Sequence, residues 1–120
     1  MSIFKKYSQD NHNCYGMTLW KSGFTLVEIW ICPPNFSVGE HSHSQFDGNI
    51  MLLLGNVDLC KRIGDDVKST CKRFHFHSIP AGTRHFFNAK SGAMIPTVFI
   101  NVEKWHTASV TSACIDMQKV

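Results

Sequence analysis

His41-Ser42-His43-Ser44-Gln45-Phe46-Asp47-Gly48 and Pro80-Ala81-Gly82-Thr83-Arg84-His85 are the stretches whose joint reading decides the fold. Two histidines at i and i+2 on an extended strand point to the same side, because strand side chains alternate with a period of two. A third histidine, just after a Pro/Gly turn, closes on them if the two strands are neighbours in a sheet. Three imidazoles converging inside a β-barrel form an open metal site, with coordination positions left for water or substrate.

Working outward, helical periodicity is hard to find. Short β-branched and aromatic runs recur instead, cut by Gly, Pro, Asn and Asp. Phe24 to Ile31 reads as a strand apolar on both faces except at Glu28, and Cys32-Pro33-Pro34-Asn35 ends it. Glu40 to Phe46 is the next strand, Asp47-Gly48-Asn49 a turn, and Ile50 to Leu54 a buried strand. Gly55-Asn56 permits a bend before Val57 to Ile63. Gly64-Asp65-Asp66 reads as a hairpin loop, with a return strand from Val67 towards Phe74. Phe74 to Ile79, Arg84 to Asn88 and Ala93 to Val102 follow. Eight or nine short strands with regular turn signals predict an all-β sandwich or barrel. The tail beyond Glu103 is open between a further strand, an arm on a partner subunit and a loose end.

The 120 residues fit one domain with one core, and 43 % apolar with 18 % charged residues is globular composition. The net charge of +3 is small, and Lys5-Lys6, Lys61-Arg62 and Lys72-Arg73 are scattered doublets, so no nucleic-acid partner is expected. Five cysteines without a C-x-x-C spell neither a zinc ribbon nor a disulfide framework, and reduced thiols in a cytoplasmic setting are expected. Met1 to Lys6 has no apolar signal-peptide core, and the run Ile50 to Leu54 is too short to span a membrane.

Together the two stretches resemble the paired motifs of the cupin superfamily. Its first motif is roughly Gly, five residues, His-x-His, three or four residues, Glu, six residues, Gly. Here His41 and His43 match the histidine pair and Gly55 the closing glycine. Its second motif is roughly Pro-x-Gly, two residues, His, three residues, Asn. Pro80, Gly82 and His85 match, and Asn88 follows one residue early. The resemblance covers about residues 37 to 90, with motif 1 near 37–55 and motif 2 near 74–90. It implies a single-domain jelly-roll (double-stranded β-helix) barrel over residues 1–120. It also implies one divalent transition metal per chain (Fe, Ni, Zn or Mn) on His41, His43 and His85.

The sequence departs from the pattern at two places. Asn35 stands at the leading glycine, with Gly39 out of register. At the carboxylate position, counting back from Gly55 gives Gly48, while the shorter spacing from His43 gives Asp47; Gln45 is a weaker candidate. The site is therefore three histidines plus Asp47, or three histidines alone. The second arrangement is similar to the thiol dioxygenases, cupins that hold ferrous iron on three histidines with Cys or Gly in the carboxylate slot. The arginine and tyrosine that complete their site are not identifiable here.

Other residues receive plainer readings. His75-Phe76-His77 repeats the His-x-His pattern but lies where the family has an ordinary strand, so it is read as structural, as are His12 and His106. Arg84 should point away from His85 by strand alternation. Trp20, Trp30, Phe46, Phe86, Phe87 and Phe99 are core candidates, one or two of them lining the cavity. Cys60 and Cys71 face each other across a hairpin in this reading. Few carboxylates beyond Glu28, Glu40 and Asp47 are available for acid–base work. The expected function is a metal-dependent cupin binding or transforming a small polar organic molecule, dioxygenase-like before isomerase or lyase. A non-catalytic carbohydrate- or metabolite-binding or structural cupin is the alternative, and a homodimer paired through edge strands is expected.

Overall fold

The computed structural model describes residues 4–9, 12–90, 92, 94–107 and 117–119. Within them the chain forms β1 (Phe4–Gln9), β2 (His12–Ser22), β3 (Thr25–Cys32), β4 (Val38–Ser42), β5 (Phe46–Leu54) and β6 (Val57–Ile63). There follow β7 (Asp66–Thr70), β8 (Phe76–Ile79), β9 (His85–Ala89), β10 (Thr97–Trp105) and β11 (Gln118–Lys119). They build a six-stranded sheet, β1-β2-β3-β10-β5-β8, and a five-stranded sheet, β11-β4-β9-β6-β7. All ladder pairings between these strands are antiparallel. Among the described residues no helix is long and apolar enough to cross a membrane.

Alternation explains the layering. Along β3, Leu26, Glu28, Trp30 and Cys32 are buried; along β10, Thr97, Phe99, Asn101, Glu103 and Trp105 are buried; along β5, Phe46, Gly48, Ile50 and Leu52 are buried. The two inner faces meet in one apolar cluster built on Trp30, Phe36, Ile50, Leu52, Leu59, Phe87 and Phe99. A second cluster, Leu26, Phe46 and Trp105, closes one end. Phe87 contacts both Phe36 and Phe99, at ring-centroid distances of 5.4 and 5.2 Å, which ties the two sheets together.

The fold class matches the expectation, and several details differ. Residues 4–22 add two strands that the sequence reading left unassigned. The reversal expected at Asp47-Gly48-Asn49 lies earlier, at residues 43–45, and β5 runs straight through Asp47 to Asn49. Ladder pairing with β10 on one side and β8 on the other overrides the local turn propensity there. Cys60 faces Ser69 rather than Cys71 across the β6–β7 hairpin, its Sγ 3.3 Å from the Ser69 hydroxyl, and both cysteines are free. The chain end forms the short β11 against β4 at His41 and Ser42, whereas residues 108–116, Cys114 among them, lie outside the described residues.

Two glycines hold the barrel ends. Gly55 has φ of 120° and a Cβ there would stand 2.6 Å from the Thr97 hydroxyl, so the β5–β6 bend brings two backbones closer than any side chain allows. Gly82 has φ of 83° in the turn whose Thr83 N–H donates to the Pro80 carbonyl at 3.0 Å.

Candidate metal centre

His41 and His85 are directly opposite on the antiparallel pair β4–β9. His43 follows at the end of β4, two residues along and on the same side. All three are buried, at 3 %, 8 % and 2 % exposure. Their ring centroids lie 4.2 Å (His41–His85), 4.9 Å (His41–His43) and 5.0 Å (His43–His85) apart, and one ligand nitrogen from each falls within 4.8 Å of the others.

The backbone fixes the tautomers. His41 Nδ1–H donates to the Gly39 carbonyl at 2.7 Å, and His85 Nδ1–H donates to the Thr83 carbonyl at 3.0 Å. Each bond leaves Nε2 as the lone-pair atom, the arrangement that metal-bound histidines use. Burial, the largest cause, holds His41 down to about 4 and His85 down to about 3, with the neighbouring imidazoles adding to the fall. Both rings are neutral at physiological pH and need no deprotonation to act as ligands. A ligand shell of nitrogens ~2.1 Å from a metal needs N···N separations of ~3–3.5 Å, so the rings need only a modest closure to bind one. The donor set fits a divalent first-row transition metal.

The second motif is built around the first. The Gly82 N–H donates to the His43 carbonyl at 2.8 Å, and the Ala81 N–H donates to Asp47 Oδ1 at 2.8 Å. Asp47 Oδ2 accepts from His106 Nε2, also at 2.8 Å. These bonds, the Ala81 one first, hold the Asp47 carboxyl below its ordinary range. Asp47, a candidate fourth ligand from sequence, is therefore not part of the cluster. Strand alternation turns Phe46 and Gly48 inward and Asp47 outward, where it ties the Pro80–Gly82 turn to β5 and to the end of β10. Gly48 takes the inward position, and a Cβ built on it meets the Asn101 Oδ1 and the Phe46 ring at 3.5 Å, ordinary contacts. Among the described residues the histidines form the only His/Cys/Asp/Glu group with metal-ligand spacing, and it contains no carboxylate.

The remaining candidates fall elsewhere. Glu40 lies outside the barrel, where Arg62 Nε and Nη2 donate to its two oxygens at 2.8 Å. Glu28 is buried with Lys5 on one side and Glu103 on the other. Glu103 accepts from Trp105 Nε1 at 3.0 Å and Asn101 Nδ2 at 3.1 Å; burial, and then Glu28, push it up to about 11, so it is protonated at neutral pH. Arg84 is exposed, as strand alternation predicts, and His75 is exposed too. His77 donates from Nε2 to the Lys72 carbonyl at 3.2 Å, away from the cluster.

The three imidazoles line a cavity of about 70 Å³ with Trp30, Phe36, Ile50, Phe87 and Phe99 among its apolar walls. Its other polar groups are Tyr7, Asn101 and the thiols of Cys14 and Cys32. Contact with Cys14 and then burial push the Cys32 thiol far up, so it stays protonated. Sequence reading missed Asn101, Glu103 and Cys14. The strict alternation of Thr97-Val-Phe-Ile-Asn-Val-Glu-Lys-Trp105 places Asn101 and Glu103 on the face of Phe99, which was the available signal.

No family model and no curated protein sequence matches this chain. Solved structures do. The capsular polysaccharide assembling protein CapF from Staphylococcus aureus superposes with a TM-score of 0.71 at 14 % identity, covering 98 % of this chain and 34 % of CapF. A double-stranded β-helix domain protein from Klebsiella pneumoniae gives 0.60 at 15 % identity, covering 78 % and 77 %. Oxalate oxidase bound to the substrate analogue glycolate gives 0.60 at 14 % identity, covering 75 % and 46 %. The chain thus spans about a third of CapF and under half of oxalate oxidase. It has the cupin fold, a double-stranded β-helix, with a three-histidine cluster inside the barrel.

Proposed function

We propose that this chain is a metal-dependent cupin that binds one divalent transition metal on His41, His43 and His85 and acts on a small organic molecule in the adjoining cavity. The observation that carries the reading is the convergence of three buried imidazoles, each with a ligand nitrogen within 4.8 Å of the others, two of which, His41 and His85, are held neutral by burial. A metal held there supplies Lewis-acid or oxygen-binding chemistry through its open coordination positions. The chain's own residues do the rest. Gly39 and Thr83 orient the rings, and Asp47 and the His43 carbonyl position the turn that carries His85. The aromatic walls exclude water.

The lining narrows the ligand. No Lys, Arg, Asp or Glu lines the cavity among the described residues, so none of them offers a ligand charge a partner there other than the metal. About 70 Å³ is half the volume of a cavity that admits benzene, so the part that enters is small. Among the described residues the lining also lacks a carboxylate or amine base, which favours oxidoreductase chemistry over isomerisation or lyase chemistry. The same lack supports a second reading, a non-catalytic metabolite-binding cupin.

Oxygen uptake by the Fe(II)-loaded protein, screened against small thiols, diketones and hydroxy acids, separates the two. Uptake dependent on one compound and on all three histidines supports the oxidoreductase. A compound that perturbs the optical spectrum of the Co(II)-loaded protein, with no oxygen uptake by the Fe(II) form, supports binding alone. No metal uptake at all removes the oxidoreductase and leaves a metal-free binding cupin.

A further inference from the structure

The outer face of the six-stranded sheet carries an apolar band across its middle. Strand registers give its rows. The middle row is Phe4, Met17, Ile29, Ile100, Met51 and Phe76, one residue from each of the six strands and none of them polar. A row on one side is Tyr15, Ile31, Val98 and Leu54, with Lys6 at its β1 end, and on the other Trp20, Val27 and Val102, which runs on into Asn49 and Ser78. Tyr15, Trp20, Ile31 and Phe76 are 55 %, 57 %, 52 % and 54 % exposed. The outer face of the second sheet is of the ordinary kind, carrying Glu40 paired with Arg62 and Asp58 paired with Lys90.

An antiparallel sheet that faces water alternates apolar-in with polar-out. Here β3 and β10 are apolar on their outward positions as well, which is the pattern of a sheet covered on both faces. The four aromatics Phe4, Tyr15, Trp20 and Phe76, each more than half exposed, present about 400–500 Å² by themselves. The aliphatic neighbours bring the face towards the ~800 Å² per partner of a stable complex, beyond the ~300–600 Å² patch of a typical monomer.

We infer that this face is the interface of a homodimer, formed by two copies stacking their six-stranded sheets face to face about a two-fold axis. A second copy is the occupant the chemistry fits. Apart from Lys6 at the β1 edge the rows hold no charge that demands an opposite charge, and a copy presents the same rows. Lys6 and the Lys104/Asp47 pair border the rows, as the polar rim of an interface does. Sheets so stacked lie ~10 Å apart, a spacing that interdigitated Ile, Val and Met side chains fill. The edge-strand pairing expected from sequence is replaced by pairing through a face. The inference is independent of the metal centre.

Sedimentation velocity on the full chain tests it. At tens of micromolar the wild type should sediment at twice the 13.6 kDa chain mass. Trp20→Glu and Ile31→Lys change residues already exposed in the single chain, so both variants should fold, as circular dichroism will check. Each should weaken dimerisation at least about thirtyfold, the scale of a central aromatic or aliphatic anchor. Asn88→Lys, on the other sheet's outer face, should leave the dimer intact. A wild type that sediments as a monomer overturns the inference and leaves the face to another part of a longer chain or another protein. A dimer indifferent to both Trp20→Glu and Ile31→Lys overturns it in favour of an edge-strand contact.

Discussion

His41-Ser42-His43 and His75-Phe76-His77 are the same pattern within one small barrel, and they meet opposite fates. The first pair sits at the end of β4, a strand flanked by β9 on one side and β11 on the other, with its histidines turned inward. There His85 stands directly across the ladder, and backbone carbonyls fix the rings. The second pair flanks the start of β8, an edge strand, with His75 exposed and His77 spent on a loop carbonyl. A His-x-His is thus a statement about which side two rings share. Whether they are ligands depends on what the fold brings to that side.

Four results would break or sharpen that contrast. The largest concerns metal uptake. His41→Ala, His43→Ala and His85→Ala should each cost more than the ~10–100-fold in affinity typical of losing an outer-shell partner. His75→Ala and His77→Ala should bind as the wild type does, and equal loss in both sets, read by elemental analysis after dialysis, would erase the distinction.

Next is pH. His41 and His85 have folded-state values depressed from 6.5 to about 4 and about 3. Below pH 6.5 the unfolded chain binds more protons than the folded one, so metal-free stability falls as pH drops towards 4. Denaturant titrations at pH 7 and pH 5 should show that loss, and His41→Leu should reduce it.

A smaller effect belongs to Asp47. Asp47→Asn loses the charge that holds the Ala81 N–H and His106, and should cost about 1–2 kcal/mol of stability while metal is retained. Loss of metal in step with the histidine variants would make it a ligand after all. The smallest is Glu103→Gln. The group is already neutral at pH 7, so a change of under about 1 kcal/mol is expected by thermal unfolding.

The residues that carried the sequence reading were those whose role is local. Pro80-Ala-Gly82 spells a turn, Gly55 a bend, and His41 and His43 a shared face, and each is set by a few neighbouring positions. What escaped was decided by distant strands. Asp47 and Gly48 look like a turn until β8 and β10 pair on either side of them, and that pairing also sends the carboxylate outward. Glu28 reads as a lone charge in an apolar strand because its partners, Lys5 and Glu103, are far away in the chain. β1 and β2 were passed over because their outward residues are as apolar as their inward ones, which blurs the period of two. The same blurring marks the face assigned to the dimer.

Three imidazoles, and no carboxylate among the described residues, are inferred to hold the metal. X-ray absorption on the metal-loaded protein tests that central claim most directly. The account predicts near-stoichiometric metal with three imidazole nitrogens at ~2.0–2.1 Å, completed by exogenous ligands that a small-molecule probe displaces. A protein that takes up no metal, or a shell with fewer than three imidazoles, would contradict it.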